Sequence, residues 1–378
     1  MKLAAISRRA LSGIFNRNEF IMTSNKNPVD LLQQWHALQQ SEPGLRARNA
    51  AARLSVSEGA LVAVRCGGDA VRLEPRYQEL LQSLVRVGQV LVITRNDFAV
   101  SEKRGYYSHL QLKEHGGGAF DYNINLRYFF RHWAHAFAVV DEDARGVRKS
   151  LQFFDRDGTS VHKIYQTDNG DPAAWGRLVK QFRAVDQTPG FVPEAPTDVY
   201  IPQRPENVDA QALCKQWRAI TDLHEFWPML RDHKLRRIDA LRLAEPDLAR
   251  PVAADAWRTV LQQASQSGLQ IMVFTASPGV AQIHTGPIHK LVERDGWFNV
   301  LDPTFNLHMR TDAVSESWVV YRPTASGGQT SLELYHENGQ LVSHIFGAVN
   351  LEAPELHHWR QMLADLPTQT PEKAQRVA

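Results

Sequence analysis

The chain has 378 residues, enough at roughly 100–200 residues per domain for two or three domains that each bury a core. Hydrophobic residues make up 43% and charged residues 22%, which excludes collagen-like and largely disordered classes. The 43 Lys and Arg against 41 Asp and Glu leave a net charge of +2, too small an excess to make nucleic acid or an anionic membrane the main partner.

In chain order, residues 1–21 carry Lys2, Arg8, Arg9 and Arg17 with no acid before Glu19, but they lack the continuous apolar stretch of a secretory signal. Residues 1–27 therefore read as a disordered extension, with Met22 as an alternative start. A helix is expected around Trp35 in "LLQQWHAL", followed by strands such as "QVLVITR" and "HAFAVVD". "HGGG" at His115 to Gly118 reads as a flexible hairpin loop, because the GxSxG nucleophile turn that would make it an esterase oxyanion loop is absent. The stretch "NINLRYFFRHWAHAF" places Arg127, Arg131, His132 and His135 among aromatics. It reads as a buried amphipathic segment or as a basic face for nucleic acid. "SLQFFD" and "VHKIYQ" flank the turn Asp157-Gly158, and a helix closes the segment near Trp175. Thr188 to Asp209 then holds Pro189, Pro193, Pro196, Pro202 and Pro205, a density that suits an extended connector and a domain boundary.

Beyond the connector the pattern repeats. Trp35 matches Trp217 at a shift of 182, and Thr94 in "VLVIT" matches Thr275 in "IMVFT" at 181. Asn125-Leu126 with Asn306-Leu307, Ser150 with Ser331, and Gly158 with Gly339 keep the 181 register, so we read a tandem duplication of one unit. The units span residues 28–187 and 210–366, with linker 188–209 and a tail at 367–378. Turn signals such as Asp157-Gly158 and Asn338-Gly339 imply hairpins, hence an α+β class with mainly antiparallel sheets.

Little of the common cofactor chemistry is available. Cys66 and Cys214 form no metal-binding array and read as packed thiols of a reducing cytoplasm. Neither GxGxxG nor GxxxxGK[ST] occurs, and His224-Glu225 lacks the second histidine of HExxH because position 228 is Pro. No apolar run approaches the roughly 18–20 residues of a membrane span, so membrane insertion is not expected. What remains is His224 in "ITDLHEFWPML", beside Phe226 and Trp227, with Pro228 interrupting helical hydrogen bonding after it. Such a histidine is either an ordinary helix-end residue or the iron ligand of a flat, apolar, haem-like molecule. Between copies, His224 falls on Glu42 and Arg127 on His308, so only one such site per chain is expected.

Six motifs, "TRNDFAV", "NLRYFFRHWA", "SLQFFDRDG" followed by "TDN", "ITDLHEFWPML", "GWFNVLDPTFNLH" and "WVVYRPT", resemble the HemS-like cytoplasmic haemin-binding and haemin-degrading factors of bacterial haem uptake. The resemblance runs from about Pro28 to Ala364 and implies a tandem repeat of α+β units, each with a large antiparallel sheet and flanking helix pairs. It implies haem (iron protoporphyrin IX) as ligand, held in a cleft between the halves. His224 would be the iron ligand, Arg127 the catalytic residue facing the other side of the iron, and Arg237 and Arg322 basic partners of the propionates. The expected activity is oxygenase-like degradation that releases iron. The alternatives are a non-enzymatic haem chaperone that receives haem from an inner-membrane importer and passes it to a haem oxygenase, or a nucleic-acid-binding module. Ser101 stands where some relatives carry a histidine, and Phe346 and Val349 where relatives have Tyr and Arg near the propionates. His233, His289, His308 and His344 read as surface residues with alternative ligation open to them.

Overall fold

The computed structural model describes residues 26–143, 146–195, 205–325, 327–348 and 357–369. Val349 and residues 1–25, 196–204 and 370–378 lie outside the described residues, as therefore do most of the N-terminal extension, the middle of the Pro-rich connector and most of the tail.

Each repeat opens with three helices: α1 (Pro28–Ser41), α2 (Ala47–Arg53) and α3 (Glu58–Ala63) in the first, α6 (Ala210–Arg218), α7 (Phe226–Asp232) and α8 (Arg237–Leu243) in the second. The first repeat adds α4 (Tyr77–Ser83) and α5 (Pro172–Gln181), the second α9 (Ala256–Ser267) and α10 (His357–Ala364). The starts are written locally. Asn27 Oδ1 accepts from the Val29 N–H, and Asp171 and Asp209 each accept from two N–H groups of the following turn. Pro28 and Pro172 occupy first-turn positions, where no N–H is needed.

The strands of the first repeat are β1 (Ala70–Arg72), β2 (Gly88–Arg95), β3 (Ala99–Tyr106), β4 (Leu110–Lys113), β5 (Gly116–Phe120), β6 (Asn125–Phe129), β7 (His135–Asp143), β8 (Gly146–Phe154) and β9 (Ser160–Gly170). Those of the second are β10 (Ala249–Val252), β11 (Ile271–Ala276), β12 (Val280–Gly286), β13 (Leu291–Arg294), β14 (Trp297–Leu301), β15 (Phe305–Arg310), β16 (Glu316–Arg322), β17 (Gln329–Tyr335) and β18 (Leu341–Gly347). Alternation sets the buried faces: Val90, Val92 and Thr94 point inward on β2, as Ile271, Val273 and Thr275 do on β11. The β8–β9 and β17–β18 hairpins turn through Gly158 and Gly339, both at φ +80°, as the Asp-Gly and Asn-Gly signals predict.

Two nine-stranded antiparallel sheets result, in the orders β1-β7-β8-β9-β2-β3-β15-β14-β13 and β10-β16-β17-β18-β11-β12-β6-β5-β4. The α+β duplicated class is as expected, but the two copies exchange strands. Each contributes six strands to one sheet and three to the other. The joins are related by the repeat shift: Ser101 opposes Leu307 where β3 meets β15, and Gln282 opposes Leu126 where β12 meets β6. Near this seam the equivalent residues touch, Gln282 Nε2 donating to the Ser101 carbonyl and Oγ at 3.1 Å. Ser101 is thus a buried joint between the copies.

The core follows the exchange. Trp175, Leu178, Leu80 and Leu81 of α5 and α4 pack with Val90 and Val92 of the first sheet and with Leu126, Tyr128 and Val280 of the second. Trp257, Val260 and Trp359 of α9 and α10 pack with Val273, Leu332 and Ile345 of the second sheet and with Val300 and Leu307 of the first. The opposite face of each sheet is partly covered by its opening helices, α6 to α8 clustering on Trp318, Val320 and Tyr335. Both cysteines are buried and free, as expected.

Two local expectations change. Gly116 to Gly118 lie within β5 rather than in a loop, because a Cβ on any of them would meet backbone oxygen of Tyr128, Gln111 or Leu126 within 2.6 Å. "NINLRYFFRHWAHAF" is a strand, a 3₁₀ turn and the start of another strand, with Tyr128, Phe130 and Trp133 buried in the core.

Candidate functional site

The second sheet carries an open face between α6–α8 and the exchanged hairpin. Its rows follow from register. One runs Glu333, His344, Phe274, Ile283 and Asn125 across β17, β18, β11, β12 and β6; the next runs Ala276, Ala281, Arg127 and Gly118 across β11, β12, β6 and β5. Ala276 and Ala281 project almost nothing and Gly118 is crossed by the Phe120 ring, so the Ala276–Ala281 part of this row is a flat floor bordered by one long side chain, Arg127. Phe120, Phe129 and Trp227 are large exposed aromatics on or beside this face, apolar surface that a bound planar ligand would cover.

Arg127 reaches this face because the first repeat donates β4–β6 to the second sheet. Its Nη1 donates to Asn125 Oδ1 at 2.6 Å and to the Leu126 carbonyl at 3.1 Å, and its guanidinium carbon lies 4.2 Å from the Phe120 ring centroid. The Phe120 ring passes where a Gly118 Cβ would stand, 2.9 Å from it, so the arginine-on-aromatic stack depends on that glycine. Burial lowers the Arg127 pKa, yet an arginine stays charged near neutrality. Nε and Nη2 make no bond among the described residues, which leaves donors for a ligand.

His224 lies at the other side, on a 3₁₀ turn, Leu223–Glu225, leading into α7. Asp222 caps the turn. Its Oδ1 accepts from the His224 N–H at 2.8 Å and from His224 Nδ1 at 2.7 Å. A carboxylate only accepts, so Nδ1 carries the proton and Nε2 presents its lone pair outward. The side chain is 96% exposed. Its turn is tied down from both directions, the Thr221 N–H donating to Glu225 and the Thr221 carbonyl accepting from the Ala325 N–H. Pro228 sits in the first turn of α7 and starts that helix rather than interrupting it.

Arg237 and Arg322 are nearly fully buried together under Phe226. Arg237 grips Glu333 through one guanidinium edge, Nε to Oε2 at 2.7 Å and Nη2 to Oε1. Arg322 Nη2 donates to Ser331 Oγ at 3.1 Å and lies 3.7 Å from Glu333 Oε1. Tyr335 donates to Glu333 Oε2 at 2.6 Å. Burial opposes the Glu333 charge, but the two guanidiniums outweigh it and hold the carboxyl far below its ordinary range. Burial and the like charge of Arg237 bring Arg322 down to about 10. Arg322 Nε and His344 Nδ1 are buried without a partner at the edge of this cluster. The His344 ring packs edge-on against Phe274 and Phe346, which makes it part of the sheet face and not the surface residue expected. Phe346 is buried under Arg322, 5.0 Å from its guanidinium carbon.

The structure therefore gathers Arg237, Arg322 and Phe346 into one cluster below the His224 turn, and sets Arg127 on the same sheet face across the floor. It does not bring His224 and Arg127 into contact. Sequence reasoning missed Asp222, Phe120, Gly118 and Glu333. The first was signalled by its place two residues before His224, the last by its place between Ser331 and Tyr335 on one face of a strand buried on both sides.

A duplicated α+β scaffold with strand-exchanged sheets, an outward imidazole and a guanidinium stacked on an aromatic at one sheet face has the parts that suit a planar ligand. The chain belongs to the haemin-degrading HemS/ChuX-domain family, whose model matches residues 55–182 and 234–366. It is 36% identical over 344 residues to the hemin transport protein HmuS of Yersinia pestis, covering 89% of this chain and 97% of that one. The solved holo-PhuS, a heme-binding protein from Pseudomonas aeruginosa, is 38% identical with a TM-score of 0.88, over 91% of this chain and all of that one. ChuS of Escherichia coli O157:H7, described as a heme-degrading enzyme, is 35% identical with a TM-score of 0.84, over 90% of this chain and 99% of that one.

Proposed function

We propose that this chain takes up imported haem in the cytoplasm, binds it over the Ala276–Ala281 floor beside Phe120 through His224, and degrades it to release iron. The observation that carries this reading is the Asp222–His224 pair, which fixes the tautomer that leaves Nε2 free for iron. Haem supplies the redox iron and the ring that is attacked. Arg127 supplies fixed hydrogen-bond donors opposite His224, held in place by Asn125 and Phe120. Arg237 and Arg322, two cations around the single carboxylate of Glu333, leave net positive charge under this face that would favour a propionate. Among the described residues no helix is long and apolar enough to cross a membrane. Haem would come from an inner-membrane importer.

The exposure of His224 favours a second reading, delivery to a separate haem oxygenase, because a ligand on a three-residue surface turn is accessible to an acceptor. The visible spectrum of the haem complex, followed with an electron donor and catalase, separates the two. Loss of the Soret band that slows at least tenfold in Arg127→Ala, with haem still bound, is the expected result. A Soret band that persists overturns degradation in favour of delivery.

Asp222→Asn keeps the shape but loses the charge that holds the imidazole. We expect haem affinity to fall by about 10–100-fold, the range for an outer-shell carboxylate, with no change in thermal midpoint. Titration of haemin into the variant checks it; unchanged affinity would deny Asp222 its positioning role.

A further inference from the structure

The repeat places an equivalent face on the first sheet, and its floor is chemically unlike the first. The row equivalent to Ala276, Ala281, Arg127 and Gly118 is Arg95, Val100, His308 and Asn299 across β2, β3, β15 and β14. Three small floor residues are thus replaced by side chains with volume, two of them polar, and the distal arginine becomes a histidine. A flat macrocycle loses its platform here. In its place, cationic groups converge.

Arg95 and His308 stand on either side of Val100, two strand spacings or about 10 Å apart at the backbone. Arg46, at the start of α2, is close enough to act electrostatically on both. The charged and titratable groups around Arg95 and His308 are Arg46, Arg48, Lys163, Glu58, Asp97 and Glu102, with Arg310, paired to Asp312, next to His308 on the same face of β15. Two of the carboxylates are already committed, Glu58 to Lys163 and Asp97 to Arg48. Glu102 lies on the floor beside His308. Arg46 and Arg95 form no ion pair among the described residues, and the side chain of Arg95 donates only a long bond, 3.4 Å, to the Asn96 carbonyl. A half-buried guanidinium crowded by like charge and lacking a carboxylate is a group that an anion would satisfy.

His308 is set for the same purpose. Asn299 donates through Nδ2 to the Val292 and Trp297 carbonyls, so its Oδ1 must accept from His308 Nδ1, at 2.6 Å. Nε2 is then the ring atom that gains a proton when an anion arrives. Burial lowers the His308 pKa, Glu102 opposes that shift, and Arg46 adds a smaller push downward. An anion over Arg46 removes part of that repulsion and favours proton uptake.

We propose that this face of the first sheet is a binding site for a small multivalent oxyanion, a phosphate or polycarboxylate, held by Arg46 and Arg95 with His308 as a third, proton-coupled donor. The proposal does not rest on the haem reading. Sulfate is a suitable first probe because its own charge does not change between pH 5.5 and 8. Calorimetric titration of the full chain with sulfate, inorganic phosphate and citrate should give one saturable site, with sulfate binding at least threefold tighter at pH 5.5 than at pH 8. Arg95→Gln should weaken it tenfold or more. Arg46→Gln, an exposed change that leaves the fold intact, should weaken it severalfold, and His308→Gln should remove the pH dependence. Preference for phosphate or for citrate identifies the anion class. Haemin titration of the same variants should be unaltered, which separates this site from the haem cleft. Absence of saturable binding by all three probes, or equal binding in wild type, Arg46→Gln and Arg95→Gln, overturns the proposal.

Discussion

His224→Ala should cost more haem affinity than any other single substitution in the cleft. Removing an outer-shell partner of a metal ligand costs about 10–100-fold, and removing the ligand itself should exceed that. The change should be silent for folding, because the side chain is 96% exposed and substitutions at such positions stay within about 0.5 kcal/mol. Haemin titration followed at the Soret and visible bands, beside a denaturant melt, reads both quantities. Loss of the wild-type spectrum with an unchanged melt is the expected pattern. An unaltered spectrum would move ligation to another histidine, with half-buried His344 the first to test.

Glu333→Ala should have the largest effect on stability. The carboxylate lies between two buried guanidiniums, and its removal leaves Arg237 and Arg322 uncompensated in a site that holds no water-exposed alternative. Breaking a buried ion pair on one side costs about 3–5 kcal/mol. The pH dependence has a definite sign. The folded pKa of Glu333 is held far below the ordinary ~4.3 of an unfolded glutamate, so its stabilisation is fully present above about pH 4.3 and is lost as pH falls toward the folded value. The denaturant midpoint of wild type should therefore fall between pH 5 and 3 by more than that of Glu333→Gln. Parallel curves for the two proteins would show that the cluster contributes nothing to acid sensitivity.

Much of this fold is written locally. The repeat, the Asp-Gly and Asn-Gly hairpins, and the helices around Trp35, Trp175, Trp217 and Trp359 all rest on short-range patterns that the structure obeys. The strand exchange was not legible. β4 to β6 alternate in the same way whichever sheet they join, and only the seam between Ser101 and Gln282 shows which one takes them. Glycine is depleted in strands, so Gly116 to Gly118 read as a loop, although their missing side chains are what let β5 pack and Phe120 fold across Gly118. His224 and Arg127 were singled out locally with alternatives open, and only resemblance to a family assigned their roles. Nothing in "LHEFWPM" announces an exposed imidazole, and Arg127 acquires its place from a hairpin lent by the other repeat. Arg237 and Arg322 were legible as basic residues but not as a buried pair around Glu333, because that glutamate is 96 and 11 residues away from them in sequence and meets them only when β16 and β17 pair under α8.

The central claim is that one haem lies on the second sheet, between an imidazole of one repeat and a guanidinium lent by the other. A crystal structure of the full chain with haem tests it most directly. The account predicts iron bound by His224 Nε2, the macrocycle over Ala276 and Ala281, and Arg127 on the opposite side. Haem seated over Arg95 and His308 on the first sheet, or iron ligated by a residue other than His224, would contradict it.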